Sequence, residues 1–280
     1  MYTFVYNERK NWYFSLKCDN CCTRSQQTLI GIRRYSPLSI AGNKTARSSF
    51  MKRLIAYTLA AWSTLSMSAA ADSPVVVELY TSQGCSSCPP ADKLFHEIAD
   101  RDDVIALSLH VDYWDYIGWK DEFADPAHAK RQRAYARGAG RRSIYTPEMI
   151  VNGTTDIVGA RPIQLAEAIA KHAQAPSAMS LGLSRDGSDL TVTSDPITAQ
   201  GPFVVHMMRY APSRDARITR GENAGRTLTY ANVVEGWTVL GEWDGRTPLS
   251  ISAEVEGDMP VVVLVQNMER GTIVGANRLR

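Results

Sequence analysis

Two cysteines separated by two serines constrain the fold of this chain more than any other feature. The Cys-Ser-Ser-Cys motif, Cys85–Cys88, follows an apolar, β-branched run of strand length at Val75–Tyr80. After it come Pro89 and Pro90, and then apolar residues at helical spacing. Because proline is accepted in the first turn of a helix, the pattern predicts strand, turn, cysteine pair and helix, in that order. Unpaired N–H groups and the helix dipole at such a position lower the pKa of a thiol.

The Cys85–Cys88 pair is predicted to be a redox site. A crosslink stabilises a fold mainly by restraining the unfolded chain, and a loop this short restrains it very little. A close pair at the start of a helix instead favours an exposed, acidic thiolate. A structural disulfide is one alternative. A second is Cu(I) binding by the two cysteines, although no Met-rich or His-rich tract accompanies them.

The first 71 residues differ in charge and pattern from the rest of the chain. They hold ten of the 31 basic residues and two of the 29 acidic ones, so they carry +8 while residues 72–280 carry −6. The net charge of +2 is therefore an average, and no nucleic-acid partner is expected from it. Residues 51–71 have the basic start, short apolar run and small-residue end of a signal peptide, with cleavage predicted near Ala71.

This segment predicts a protein secreted to the periplasm or the extracellular space, where the two remaining cysteines form a disulfide. Residues 1–50 are interpreted as an over-long start or an extended n-region, removed in either case with Cys18, Cys21 and Cys22. No zinc site is expected on those three, because no fourth ligand has finger-like spacing. No run approaches the roughly 20 apolar residues that cross a bilayer, so no stable membrane span is expected.

The segments after the first helix complete an α/β pattern. Residues 104–111 predict a buried strand parallel to the first. Residues 143–158 predict a strand and its antiparallel return, with a hairpin signal at Asn152-Gly153. Pro162 opens a closing helix.

This order of elements resembles the thioredoxin fold. Three blocks more closely resemble a secreted, thioredoxin-like bacterial family called domain of unknown function 1223 (DUF 1223). They are ELYTSQGCSSCPPAD at residues 78–92, HVDYWDY with a following GW at residues 110–119, and RGEN with GRTL at residues 220–228. The resemblance covers essentially all of residues 72–280. It implies a fold and a compartment, but no established reaction.

The thioredoxin resemblance implies a role for each site residue. Cys85 is the nucleophile that forms a mixed disulfide with the substrate, and Cys88 is the resolving thiol. Pro147 corresponds to the cis-proline that faces the disulfide, and Thr146 directly before it is a candidate for substrate binding. Glu78 is the candidate for a buried acid that relays protons to the resolving cysteine; the alternative is an acid at a strand edge. The expected partner is a thiol or disulfide of an envelope protein, or a small thiol, with no cofactor besides the disulfide itself.

Residues 112–142 form an insertion relative to a minimal thioredoxin. The insertion leaves the carboxyl end of a strand, the edge at which α/β sheets carry their ligand sites. Tyr113 and Trp114 are therefore candidates for a substrate-binding lid, and covering of the core is the alternative. His110, at the same strand end, is a candidate for tuning the thiolate or contacting substrate. The basic residues of the insertion are interpreted as a solvated helix face.

The second half of the chain predicts a different class of structure. About eight short β-like runs with turn signals between them indicate an all-β, sandwich-like domain at residues 178–280, after the α/β thioredoxin-like domain at residues 72–175. A dense polar cluster at Arg220–Arg226 is interpreted as a structural turn or an interface. The alternative for this cluster is a clamp for a carboxylate or phosphate.

The sequence therefore predicts a secreted thiol-disulfide oxidoreductase. The alternatives are a non-catalytic envelope-binding module whose disulfide is structural, and a Cu(I)-handling protein.

Overall fold

The computed structural model describes residues 73–280, so the predicted signal peptide, residues 1–50 and their three cysteines lie outside the described residues. The helices of the described part are α1 (Pro89–Ala99), α2 (Pro126–Gly138) and α3 (Pro162–Ala173). Its strands are β1 (Val75–Thr81), β2 (Val104–His110), β3 (Glu148–Val151), β4 (Thr155–Val158), β5 (Gly182–Asp186), β6 (Asp189–Ser194), β7 (Phe203–Arg217), β8 (Thr227–Trp243), β9 (Leu249–Glu254), β10 (Val261–Asn267) and β11 (Ile273–Leu279). None of these helices has the length and apolar character needed to cross a membrane.

The fold is a mixed α/β fold built on an eight-stranded sheet with the order β11-β10-β7-β8-β2-β1-β3-β4. β1 pairs parallel with β2 and antiparallel with β3. β8 joins the two halves of the chain, because it pairs antiparallel with β7 and parallel with β2 at Ser108 and Val233. The other three strands form a second sheet with the order β5-β6-β9.

The two faces of the large sheet are covered differently. One face carries a core that runs through both halves, from Val76 of β1 to Leu264 of β10, and α2 packs on it through Ala129 and Tyr135. The other face packs against α1 and α3 in the first half. In the second half that face packs against the three-stranded sheet. Side chains alternate between the two faces along each strand, so neighbouring residues enter different cores.

The second half does not have a main sheet of its own, in contrast to the separate sandwich-like domain expected at residues 178–280. Four of its strands continue the sheet of the first half, and all described residues fall within one compact unit. Two of the short runs from which the sequence predicts separate strands, residues 228–234 and 237–243, form one strand, β8, which continues through a register shift opposite Arg209 and Tyr210. Strand patterns indicate where strands lie, but they do not indicate which edges pair.

The β7–β8 hairpin carries a distant segment of the chain to the start of α1. Its strands are 15 and 17 residues long, and its far part follows α1. The Asn232 side-chain amide donates to the carbonyls of Ala99 (3.2 Å) and Ala106 (3.0 Å). One turn further towards the start of α1, the His96 ring lies 2.9 Å from the Thr229 carbonyl. The connection between the two strands, Ile218–Arg226, is therefore placed at the cysteine end of the helix; we call it the hairpin tip.

Candidate functional site

Cys85 and Cys88 form a disulfide at the N-terminus of α1, with their Cα atoms 5.4 Å apart. β1 ends at Thr81, and residues 82–88, here called the motif loop, lead from it into the helix. Cys88 is the N-cap residue, and proline fills the first helical positions, where no intrahelical N–H donor is required. The local order of strand, turn, cysteine pair and helix is the one that the sequence predicts.

Both cysteines are covered. Cys85 is 1% exposed and Cys88 is 0% exposed, whereas Ser86 and Ser87 between them are exposed. The cover comes from two segments that are remote along the chain. One is the start of the insertion at residues 112–142, and the other is the hairpin tip.

The insertion contributes an aromatic surface beside the motif loop. A Cβ at Gly84 would lie 3.1 Å from the Cβ of Trp114, so the loop and the tryptophan are in close contact. The indole N–H of Trp114 donates to the Thr146 hydroxyl (2.7 Å), and Tyr116, 81% exposed, stacks on Trp114. Trp114, which is partly buried against the core, therefore links the motif loop to Thr146, and the exposed ring of Tyr116 lies over it.

Thr146 and Pro147 lie next to the end of β1. Tyr80 pairs with Glu148 across the antiparallel β1–β3 ladder, which places Pro147 beside the start of the motif loop. The Thr146–Pro147 peptide bond is cis. Tyr113 is half-buried and donates to the Gln132 side-chain oxygen (3.2 Å). This hydrogen bond connects the start of the insertion to α2.

His110 is fully buried and does not reach the surface on which a substrate would bind. Its Nδ1 lies 2.7 Å from Asp121 Oδ2, and the same carboxylate oxygen accepts the Gln83 N–H (2.8 Å). The ring of Tyr230 packs edge-on against it with centroids 4.6 Å apart. His110 thus positions the motif loop through Asp121, a role that differs from the substrate contact considered for it.

Glu78 does not lie where the predicted proton relay requires it. It faces α2, on the opposite side of the sheet from α1, because residues 77 and 79 point towards α1 and residue 78 points away. Both of its oxygens accept from Arg131, at 2.6 Å and 3.2 Å, and one also accepts from the Tyr135 hydroxyl. Nor is it an acid at a strand edge, since it is fully buried in the middle of the sheet.

Asp92 is the buried acid on the cysteine side. Its backbone N–H donates to the Cys88 carbonyl (3.1 Å), so it lies one helical turn from the resolving cysteine. Its Oδ1 accepts from the Thr81 hydroxyl (2.7 Å), and Oδ2 is buried without a partner among the described residues. Burial raises the pKa of Asp92 to about 7, against smaller opposing effects of Thr81 and His110. Sequence reasoning missed this residue, although its spacing of four from Cys88 was the available signal.

Other buried polar atoms in the same region also have no partner among the described residues: Gln83 Nε2, His110 Nε2 and the Tyr230 hydroxyl. Burial, and after it the nearby charge of Asp92, raises the pKa of Tyr230. Buried polar groups of this kind are usually satisfied by internal water. The region around Asp92 is therefore polar, although it is buried.

The hairpin tip closes the site from the other side. Asn223, 1% exposed, donates from its side-chain amide to the carbonyls of Gln83 (3.0 Å) and Cys85 (2.9 Å). The Ser86 N–H donates to Glu222 Oε2 (3.1 Å). The polar cluster at Arg220–Arg226 is thus a turn, as interpreted, and it also covers the disulfide. Within residues 73–280, no group of three or more His, Cys, Asp or Glu side chains could hold a metal ion.

Comparison with known proteins gives a family and a fold. A family model described as a protein of unknown function, DUF1223, matches residues 76–266. No curated protein matches the chain. A crystal structure of a protein from Agrobacterium tumefaciens is similar at 29% identity, with a TM-score of 0.63 over 73% of this chain and 93% of that one. HBP35 of Porphyromonas gingivalis is similar in fold alone, at 16% identity and a TM-score of 0.50 over 74% of this chain and 75% of that one.

The family match extends from β1 to β10 and includes the disulfide and both segments that cover it. It spans well over half of the 280 residues. The chain therefore belongs to the DUF1223 family.

Proposed function

We propose that this protein is a secreted, thioredoxin-like thiol-disulfide oxidoreductase that uses Cys85 and Cys88. The observation that carries the proposal is the position of the disulfide at the N-terminus of α1, directly after a central strand. The dipole of α1 favours a thiolate over a thiol at this position. A four-residue loop, by contrast, stabilises the fold very little as a staple.

The chemistry follows from two exchange steps. A substrate thiolate attacks Cys85 Sγ, the Cys85–Cys88 bond breaks, and its electron pair moves to Cys88 Sγ, which takes up a proton. A second substrate thiolate then attacks the mixed disulfide and releases the Cys85 thiolate. The substrate loses two electrons and the protein gains them; the reverse sequence reduces a substrate disulfide.

Asp92 is the group that serves Cys88 in this scheme. It lies one turn from Cys88 on the same helix, and its pKa of about 7 lets it give or take a proton near neutral pH. Trp114, Tyr116 and Thr146 form the neighbouring surface, which fits a substrate segment with an apolar or aromatic side chain.

A second candidate function is a non-catalytic binding module in which the disulfide only holds the motif loop in shape. The observation that favours it is burial, because Cys85 and Cys88 expose 1% and 0% of their surface. A structural disulfide has a reduction potential below about −300 mV, whereas a reactive one has a higher potential.

The two candidates are separated by trapping. A Cys88→Ser variant expressed in a bacterial periplasm retains Cys85 without its resolving partner, so we expect mixed disulfides with envelope proteins, visible as reductant-sensitive bands on a non-reducing gel. The control is the variant with both cysteines replaced by serine, which forms none. Absence of adducts, together with a potential below about −300 mV, would establish the structural role instead.

A further inference from the structure

The hairpin tip is bound to the motif loop through its own side chains. A turn that ends a long hairpin usually projects into solvent. In this tip, Asn223 is buried, and it bonds to carbonyls 140 and 138 positions away along the chain, at Gln83 and Cys85. The Arg226 guanidinium holds the Asn223 side-chain oxygen (2.9 Å), which orients the amide towards those carbonyls. The hairpin tip is thus held against the motif loop, which carries Cys85, by hydrogen bonds from Asn223.

The second contact of the tip concerns the negative charge that Cys85 would carry as a thiolate after reduction. The Ser86 N–H is the backbone donor that follows Cys85 directly in the motif loop, and a hydrogen bond from it would favour a Cys85 thiolate. The Glu222 carboxylate accepts that N–H at 3.1 Å, and the hydrogen bond lowers the pKa of Glu222, which keeps it ionised. A carboxylate next to a developing thiolate disfavours it by like-charge repulsion.

We propose that the hairpin tip keeps the Cys85–Cys88 pair covered and in the disulfide form, and that the partner which displaces it is an extended polypeptide segment. Asn223 keeps the motif loop covered, and Glu222 is a positioning residue that opposes the thiolate. The proposal rests on the proposed function, because it concerns the reactivity of the same disulfide.

The partner class follows from what must replace the tip. Once Asn223 has moved away, the buried carbonyls of Gln83 and Cys85 need a donor, and once Glu222 has moved away, the Ser86 N–H is free to donate to the partner. An extended polypeptide offers a C=O and an N–H in each residue. A small thiol without a peptide bond, such as dithiothreitol, does not carry both groups, so the tip favours polypeptide thiols over thiols of that kind.

The test measures reduction of the purified protein by dithiothreitol. One dithiothreitol thiolate attacks Cys85 Sγ, the electron pair of the broken bond moves to Cys88, and the second thiol closes the reductant ring, leaving two protein thiols. The thiols are counted by alkylation at successive times. For Asn223→Ala we expect reduction about tenfold faster than for the wild type, the equivalent of about 1.4 kcal/mol for two lost hydrogen bonds.

The variant Glu222→Gln retains an acceptor for Ser86 and loses the charge. We expect the equilibrium with reduced and oxidised dithiothreitol to move about threefold towards the protein dithiol, together with a lower pKa of the Cys85 thiol, because the thiolate is no longer opposed. A merely structural role for Glu222 would leave both quantities unchanged. The control is Arg220→Ala, an exposed position on the same tip, which should behave as the wild type in both measurements.

A wild-type reduction rate in Asn223→Ala overturns the covering role. If that variant unfolds, Glu222→Ala replaces it, since Glu222 is exposed and its loss removes a tip contact without opening the core; a wild-type rate there has the same meaning. An unchanged equilibrium in Glu222→Gln overturns the electrostatic role. If Cys88→Ser traps envelope partners but the tip variants are reduced at the wild-type rate, only this proposal is refuted. If the tip variants are reduced faster but Cys88→Ser traps no partners, only the proposed function is refuted.

Discussion

The buried carboxyl groups of Glu78 and Asp92 lie on opposite faces of the same sheet, and within the part of the chain that the structure describes only Glu78 has a cation beside it. On the α2 face, both oxygens of Glu78 accept hydrogen bonds from Arg131, and one of them also from Tyr135. On the α1 face, Asp92 accepts one hydrogen bond from Thr81, and its other oxygen has no partner among the described residues. Burial alone raises a carboxyl pKa, while a paired cation and hydrogen-bond donors oppose that effect. Glu78 is therefore held in an ion pair with Arg131, whereas Asp92 has no cation beside it within residues 73–280 and burial raises its pKa to about 7.

The two faces of the sheet also carry different kinds of polar group. Arg131 binds Glu78 of β1 and donates to the Gln266 side chain of β10 (2.7 Å), and its guanidinium lies 4.7 Å from the Trp237 ring centroid. These contacts link the first half of the chain to the second half. The α1 face holds the disulfide and Asp92, where a proton can be gained or lost. The α2 face thus carries the ion-pair network, and the α1 face carries the disulfide and the acid with the raised pKa.

Removing the cation tests the α2 face most severely. The variant Arg131→Leu leaves the Glu78 carboxylate buried without its partner, and such a loss costs about 3–5 kcal/mol. Urea unfolding measures this free energy. The exposed Arg133, on the same helix, provides the matched control as Arg133→Leu, which should change stability by less than about 0.5 kcal/mol. A cost below about 1 kcal/mol for Arg131→Leu would mean that Glu78 is not held as an ion pair.

Removing the titratable charge tests the α1 face. Since the pKa of Asp92 is about 7 in the fold and about 3.9 in an unfolded chain, the folded state binds the proton more tightly. Its contribution to stability is full below about pH 4 and is lost as pH rises through 7. Asp92→Asn keeps an acceptor for Thr81, so it should be more stable than the wild type by about 2–4 kcal/mol at pH 8 and equally stable at pH 4.

Urea unfolding at the two pH values checks this expectation. The exposed Asp100, just after the end of α1, gives the control variant Asp100→Asn. An equal gain at both pH values in Asp92→Asn would show that the side chain gains from packing rather than from loss of its charge.

The smallest expected effect concerns a histidine near the Arg131 network. Burial, and then the charge of Arg131, lowers the pKa of His206 to about 4. The unfolded chain binds this proton more readily, so the fold loses stability as pH falls from about 6.5 to 4, the reverse of the Asp92 trend. His206→Gln should remove roughly 1–3 kcal/mol of that acid sensitivity. The readout is the slope of unfolding free energy against pH, and an unaltered slope would contradict the expectation.

Local patterns predicted much of the first half of the fold because local physics controls it. Proline at the start of each helix and β-branched runs in the strands act over a few residues. At Asn152 and Gly153 the backbone adopts φ of 46° and 72°, the left-handed conformation that a two-residue hairpin turn requires and that these two residue types accept. Such features depend only on neighbours in the chain.

The errors of sequence reasoning concern contacts between distant residues. The sequence predicts a boundary between two domains at residues 175–178. In the structure, β8 of the second half pairs with β2 of the first half at Val233 and Ser108, which the sequence pattern did not indicate. The resemblance to thioredoxin suggested a place beside the cysteines for Glu78, and its pairing with Arg131 across 53 positions could not be read from a strand pattern. The hairpin tip was visible as a polar cluster, but its neighbour was not.

The sequence by itself determined that a strand, a turn and a helix would present Cys85 and Cys88 at a helix start, and that both would lie in the α/β part of the chain. Only the tertiary structure decided that Asn223 covers them and that Asp92, rather than Glu78, is the acid beside them. The physical reason is that exposure and pKa are set by the groups that surround a side chain in space. In this protein those groups come from segments up to 140 positions away.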